Sequence, residues 1–434
     1  MIKIYDKSQC CGCKGCESVC PRHCIDMKVR ELREKFPGLA QQCYGRELVY
    51  LDNAATSQRC VAAMNVLSDV SINHNANVHR SVYKLAAEAT KIYEDTRDFV
   101  KDYLNARSRE EIIFTSGTTF SINLVARTFG EKFIGKGDNI IVGESEHHSN
   151  IVPWQLLCER TGAEIRVLPI TARGDYDLER LVELVDAHTK LVCVAQISNV
   201  LGVINPIDEI VAFSHSKGAK VLVDGAQGAV HLRVDVQKMD CDFYAFSGHK
   251  MFASTGTGVL YAKKELLEEM PPFLGGGEMI GTVSFEKTTF AELPYKFEAG
   301  TPNFNVIPTL KPAMALLKET MDDAELAENS ERINRYVYDA LMTDDRIVLA
   351  GGEAGVENRI PLFSIIVKGV HHEDLALVMD KMGVALRSGH VCAEPLMGRL
   401  GVTGILRASF APYNTIEEAE EFIKCLNRAI DILL

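Results

Sequence analysis

The feature that most constrains this chain is a series of short apolar runs separated by helical stretches. EIIFTSG, DNIIVGE, AEIRVLPI, KLVCVAQISN, AKVLVDGAQ and TGVLYAKK each read as a strand that is apolar on both faces. Between them, TTFSINLVARTFG, IVPWQLLCERTG and IDEIVAFSHSKG carry helical patterning. Strands without a polar face must be covered on both sides, and alternating helices supply that cover. The pattern predicts an α/β fold built on a mostly parallel sheet. Ligands in such folds bind beyond the carboxyl ends of the strands, so the residues that follow each run are where chemistry is expected.

Composition shifts divide the chain. Residues 1–27 are rich in Cys and poor in core-forming residues, and VRELREKFPGL then reads as a helix ending near Pro37. The large domain is expected over 28–310, its first part packing with a smaller domain. Near PTLKPAMALL a smaller α+β domain begins, covering 311–434. It is expected to hold a long helix over roughly 314–339, strands around IPLFSIIVK and ILRASFA, and a last helix over about 416–433.

With 434 residues, 47% of them hydrophobic, the chain is long enough for a large buried core in more than one domain. Its net charge of -12 disfavours nucleic acid and anionic membrane as partners, because both are negatively charged. No apolar run approaches a membrane span. The start, MIKIYDKSQCCGC, has no signal-peptide pattern, so a cytoplasmic location is expected.

Four segments carry polar residues where the strands end. In VLVDGAQ, Asp224 closes an apolar strand. A buried carboxylate needs a cationic or donor partner, and a protonated pyridine nitrogen of pyridoxal phosphate (PLP) is one; a helix cap is the plainer alternative. In DFYAFSGHKMF, Lys250 lies between Phe246 and Phe252, where partial desolvation lowers an amine's pKa and suits it to Schiff-base chemistry. Ser247 and His249 are placed to donate to a phosphate. In IIFTSGTT, Ser116–Gly117–Thr118–Thr119 precedes a helix, which makes either a phosphate cradle or an ordinary cap. In EHHSNIVPWQ, His147 is placed to lie on a cofactor ring or to serve as a structural histidine.

These segments occur together in one chain order. With YLDNAAT, NANVHRSV, SNVLG, FEAGTPN, RSGHVCAEPLM and RASFAPYNT, they make the chain from about Val29 onward resemble the class V aminotransferase superfamily. The likeness is greatest to SUF-type cysteine desulfurases and selenocysteine lyases. The resemblance implies a fold-type I PLP-dependent transferase. It makes Lys250 the Schiff-base lysine and Cα acid–base, pairs Asp224 with the pyridine nitrogen and Gln227 with the ring's phenolic oxygen, and stacks His147 on the ring. Thr118, Ser247 and His249 hold the phosphate. Thr301 reaches the phosphate of the other subunit, which implies a homodimer. Arg407, helped by Asn199, clamps the substrate carboxylate, and Arg387 and His79 line the pocket.

Cys392 lies in RSGHVCAEPLMG, near Arg387 and His390, where cationic neighbours favour the thiolate. The resemblance makes Cys392 the acceptor of sulfur from L-cysteine, leaving L-alanine and a persulfide for iron–sulfur cluster or other sulfur-cofactor biosynthesis. A sulfur-acceptor protein or thiol then takes the sulfur on. The chain departs from the family pattern at Val391, where a second His is usual, at Phe120, where Glu is usual, and at Ala253–Ser254, which replaces Gly-Pro.

Thirteen cysteines are present, six of them between Cys10 and Cys24. Cys10, Cys13, Cys16 and Cys20, followed by Pro21, fit C-x2-C-x2-C-x3-C-P, the bacterial ferredoxin spacing for a 4Fe–4S cluster. Zinc and an unmetallated tail are the alternatives. Cys20 is the default fourth ligand, with Cys11, Cys24, Cys43 or a residue of another subunit also open. The expected protein is a cytoplasmic cysteine desulfurase carrying this extension. Its rivals are a selenocysteine lyase or other class V PLP enzyme, and an iron–sulfur redox or carrier protein with the PLP domain as scaffold.

Overall fold

The computed structural model describes residues 27–434; the four-cysteine motif lies outside the described residues. The six expected runs all form strands, joined by Phe243–Ser247, the run just ahead of Lys250. They build a seven-stranded sheet in the order Ile112–Thr115, Gly258–Ala262, Phe243–Ser247, Lys220–Asp224, Thr189–Ala195, Asn139–Gly143, Glu164–Leu168. Gly258–Ala262 runs antiparallel to both its neighbours, and the other strands run parallel. The central strands are buried along their length, as apolar residues on both faces require.

The antiparallel strand brings two glycines together. A Cβ on Gly258 would sit 2.3 Å from Gly117 Cα, and Gly117 itself has φ +148°. The turn that leads into helix Thr118–Val125 therefore approaches its neighbour more closely than any side chain allows.

A second sheet, ordered Ile347–Leu349, Leu362–Val367, Ile405–Ser409, Arg387–Gly389, is antiparallel throughout. Its apolar face packs with residues of the helices Ala324–Met342, His372–Lys381 and Ile416–Leu433 into one core that includes Val337, Phe363, Leu375 and Phe422. The last helix begins with a capping box: Thr415 Oγ1 accepts from Glu418 N–H and Glu418 accepts from Thr415 N–H.

The single long helix expected over 314–339 is instead two helices, Leu310–Asp322 and Ala324–Met342. Asp323 separates them. Its carboxylate accepts from the amides of Glu325 and Leu326, capping the second helix, and it pairs with Lys28 at 3.2 Å.

The start of the described chain ties the two sheets together. Helix Met27–Glu34 places Arg33 on Glu418 at 2.6 Å, and Phe36 packs against both Phe252 and Tyr413. The short strand Val49–Tyr50 pairs in parallel with Val384–Ala385, and Ser409 N–H donates to Leu51 O. This first part of the large region thus packs with the smaller sheet and delivers Asp52 beside Arg407.

Candidate functional site

Five strands of the large sheet end at one cavity. The turn after Thr115 brings Thr118 and Thr119, the turn after Gly143 brings His147 and Ser149, and Ala195 is followed by Asn199. Lys220–Asp224 ends in Asp224 itself with Gln227 beyond it, and Phe243–Ser247 delivers Ser247, His249 and Lys250. The smaller sheet closes the cavity with Arg387, Cys392 and Arg407. Placement at the carboxyl ends follows from the parallel topology.

Lys250 lies in a 3-10 turn between fully buried Phe246 and Phe252. Burial pushes its pKa down to about 8, opposed by the nearby Asp224 carboxylate and reinforced by Arg407. About a tenth of such an amine is unprotonated at neutral pH, far more than for a solvated lysine. No hydrogen bond or ion pair engages its Nζ among the described residues, so the amine is available to the cavity.

Asp224 is buried, and burial raises its pKa against the opposing effects of the Ala226 amide and Lys250. The Ala226 N–H donates to its Oδ1 at 2.9 Å. This is local capping of the kind a plain structural reading expects, yet it leaves Oδ2 for a second donor. A buried carboxylate half satisfied in this way fits a protonated ring nitrogen. Gln227 uses one amide proton on Ala54 O and keeps a second.

Ser247 Oγ accepts from Thr118 N–H and lies 2.8 Å from Thr118 Oγ1. With Thr119 and His249 beside them, these hydroxyls and amides at a helix start form a cradle suited to a phosphate. His249 is held against Thr56 Oγ1, and its pKa is lowered to about 4, first by burial and then by Lys250. His147 falls to about 3 for the same two reasons in the same order. Ser149 N–H donates to His147 Nδ1, so the neutral ring carries its proton on Nε2.

Arg407 is buried, and burial lowers its pKa while Asp52 opposes the shift. It donates to Asn199 O at 2.9 Å and reaches Asp52 at 3.3 Å, and its Nε has no partner. Arg387 and Arg407 lie opposite one another on paired strands. Two guanidiniums with one nearby carboxylate leave cationic capacity for a second carboxylate.

Cys392 is exposed to the cavity. Both Val391 and Cys392 adopt positive φ, at +44° and +59°. Val391 is buried in the main core, so it contributes packing where a histidine would bring a titratable ring. Phe120 packs edge-on against Phe273, and Ser254 N–H donates to Thr309 Oγ1.

His79 and Thr301 are not among the residues lining this cavity; Thr301 is expected at the phosphate of the other subunit. The His79 ring is held between Glu94 and Glu278, each at 3.0 Å, so the expectation that His79 lines the pocket is not met within one chain. Thr301 is exposed, following Glu298, which accepts from buried Arg97 and from Phe114 N–H. Reasoning from sequence missed Asp52 and His148. Asp52 lies inside YLDNAAT, and its role emerges only once Arg407 is seen beside it.

Among the described residues, no group of three or more His, Cys, Asp or Glu is arranged to hold a metal ion, and no helix is long and apolar enough to cross a membrane.

A doubly covered parallel sheet that converges a desolvated lysine, a buried carboxylate and a phosphate cradle defines a fold-type I PLP-dependent enzyme. The class-V aminotransferase family model matches residues 49–422, and the chain belongs to that family. It is 45% identical over 411 residues to a cysteine desulfurase of an Enterobacter species, covering 94% of this chain and 100% of that one. It is 42% identical over 402 residues to a probable cysteine desulfurase of Vibrio cholerae, covering 93% and 98%. Among solved structures, the cysteine desulfurase CsdA of Escherichia coli superposes with a TM-score of 0.84 at 40% identity, covering 94% of this chain and 99% of that one. An apo cysteine desulfurase of Thermococcus onnurineus gives 0.86 at 34% identity, covering 93% and 98%.

Proposed function

We propose that this protein is a PLP-dependent cysteine desulfurase that converts L-cysteine to L-alanine and keeps the sulfur as a persulfide on Cys392. The observation that carries the reading is the meeting of Lys250, Cys392 and the Arg407–Arg387 pair at one cavity. The names of the relatives at 42% and 45% identity support it.

PLP, when bound, supplies an electron sink for negative charge at the substrate Cα. Asp224 would keep the pyridine nitrogen protonated, Gln227 would donate to the phenolic oxygen, and Thr118, Ser247 and His249 would hold the phosphate. His147, neutral at working pH, would pack on the ring without adding charge. Arg407, set by Asn199 and Asp52, binds the substrate carboxylate with Arg387 beside it. Lys250 takes the Cα proton and later returns one. The Cys392 thiolate attacks the substrate Sγ: an S–S bond forms, the Cβ–Sγ bond breaks, and the electron pair left on carbon ends as a C–H bond. L-cysteine and one enzyme thiol thus become L-alanine and one enzyme persulfide, with no oxidant consumed. Splitting sulfur transfer through a covalent intermediate replaces one hard step by two easier ones. A sulfur-acceptor protein or thiol takes the sulfur from Cys392.

The proposal includes a cytoplasmic homodimer, in which Thr301 reaches the phosphate site of the partner. It also includes a 4Fe–4S cluster on Cys10, Cys13, Cys16 and Cys20, supported by their ferredoxin spacing.

The test is to treat the holoenzyme with L-cysteine under anaerobic conditions and analyse Cys392 by mass spectrometry. One added sulfur atom on Cys392, with alanine formed in equal amount, is expected. Sulfide release that persists undiminished in Cys392→Ala overturns the persulfide reading.

A further inference from the structure

The strongest unassigned relationship in the molecule joins the turn that bears His147 to the loop that bears Cys392. The loop adopts an unfavourable backbone. Val391 and Cys392 are consecutive non-glycine residues in the left-handed region, with φ +44° and +59°. Such a pair persists only where surrounding contacts over-determine it.

His148 supplies two of those contacts, both on the C-terminal side of the cysteine Cα. Its backbone N–H donates to Cys392 O at 2.8 Å, and its Nε2 accepts from Glu394 N–H at 2.9 Å. Asn199 Nδ2 donates to Val391 O at 2.9 Å, which fixes the preceding peptide. The backbone donor at Glu394 uses Nε2 as its acceptor, a bond that places the ring's single proton on Nδ1. His147, its neighbour, carries the opposite tautomer, with Nδ1 accepting from Ser149. The two adjacent histidines therefore face different tasks: His147 lines the cavity, and His148 grips the loop.

We propose that His148 is a positioning residue that holds Cys392 in register with the cofactor-bearing turn for sulfur transfer. The inference rests on the desulfurase reading above. His148 touches no reacting atom. It acts through the backbone of Cys392, and because it adjoins His147, any displacement of the cofactor-facing turn is passed to the sulfur. A nucleophile moved by a fraction of an ångström loses much of its advantage of proximity.

The experiment compares His148→Ala and His148→Gln in the holoenzyme by two readouts. One is single-turnover persulfide formation on Cys392 with L-cysteine. The other is Cα hydrogen exchange of L-alanine in D2O, which needs Lys250 but not Cys392. His148→Ala is expected to slow persulfide formation about tenfold and to leave Cα exchange unchanged. Gln carries an oxygen able to accept from Glu394 N–H and is expected to restore most of the rate. A wild-type persulfide rate in His148→Ala overturns the assignment, as does a parallel loss of both activities, which marks a general structural role. Nitrogen-15 NMR of wild-type protein tests the same bond without any variant: a neutral ring protonated at Nδ1 supports it, and a ring protonated at Nε2 overturns it. Absence of persulfide on Cys392 in the wild type overturns the desulfurase reading as well, and is seen before any change at His148.

Discussion

The carboxylate of Asp52 lies 3.3 Å from the guanidinium of Arg407, although the two residues are 355 positions apart. Both are buried or nearly so, and each moves the other's charge toward its ionised form. Asp52 therefore holds one edge of Arg407 and leaves the rest of the guanidinium for substrate. Asp52→Asn keeps the shape but removes the charge. It is expected to raise KM for L-cysteine by about fivefold to tenfold with a smaller effect on kcat, because a charge-assisted contact that orients the clamp is lost. Steady-state kinetics over a range of cysteine concentrations checks this.

Lys250 ties stability to pH in the cofactor-free protein. Its pKa is about 8 when folded, against 10.5 as the ordinary value. Between those two values the unfolded chain binds more protons than the folded one, so stability rises with pH across that window. Below it, the folded state carries a buried ammonium at a cost of about 3 kcal/mol. Cofactor-free Lys250→Met is expected to be more stable than wild type at neutral pH, with the gap closing above pH 10.5. Thermal unfolding of both proteins at the two pH values measures it.

Gly258 permits the contact that shapes the phosphate turn. A methyl group there meets Gly117 Cα at 2.3 Å and Gly117 N at 2.5 Å, and backbone cannot swing aside as a flexible side chain can. Gly258→Ala is expected to cost about 2–4 kcal/mol and to weaken PLP retention, since Thr118 leaves Ser247 when the turn shifts. Denaturant unfolding and titration of cofactor absorbance report the two effects separately.

Cys392 distinguishes sulfur transfer from selenium chemistry at the same site. Cys392→Ala is expected to lose cysteine-dependent alanine production by about a hundredfold or more, as removal of a nucleophile does, while keeping PLP absorbance, because Lys250 and Asp224 remain. If alanine production from selenocysteine survives in the same variant at wild-type rate, the preferred substrate is the selenium compound. Alanine assays on the two substrates decide it.

Much of this protein was determined locally. The apolar runs ending in Thr115, Gly143, Ala195 and Asp224 predicted both the parallel sheet and the edge where the site lies, because strand pattern and strand-end position are properties of neighbouring residues. The same is true of the Thr415–Glu418 capping box and, in hindsight, of the Asp323 cap that splits the expected long helix. Lys250, Asp224 and Thr118 were legible for that reason. Tertiary packing alone decided which distant groups meet. Asp52 finds Arg407 because a two-residue strand pairs Val49 with Val384, and His148 finds Glu394 across 246 positions because the smaller sheet closes over the larger. His79, a pocket residue by family resemblance, is held between Glu94 and Glu278. Periodicity encodes what a segment buries; it does not encode which segment comes to lie against it, and hydrogen bonds between such segments exist only once both cores have formed.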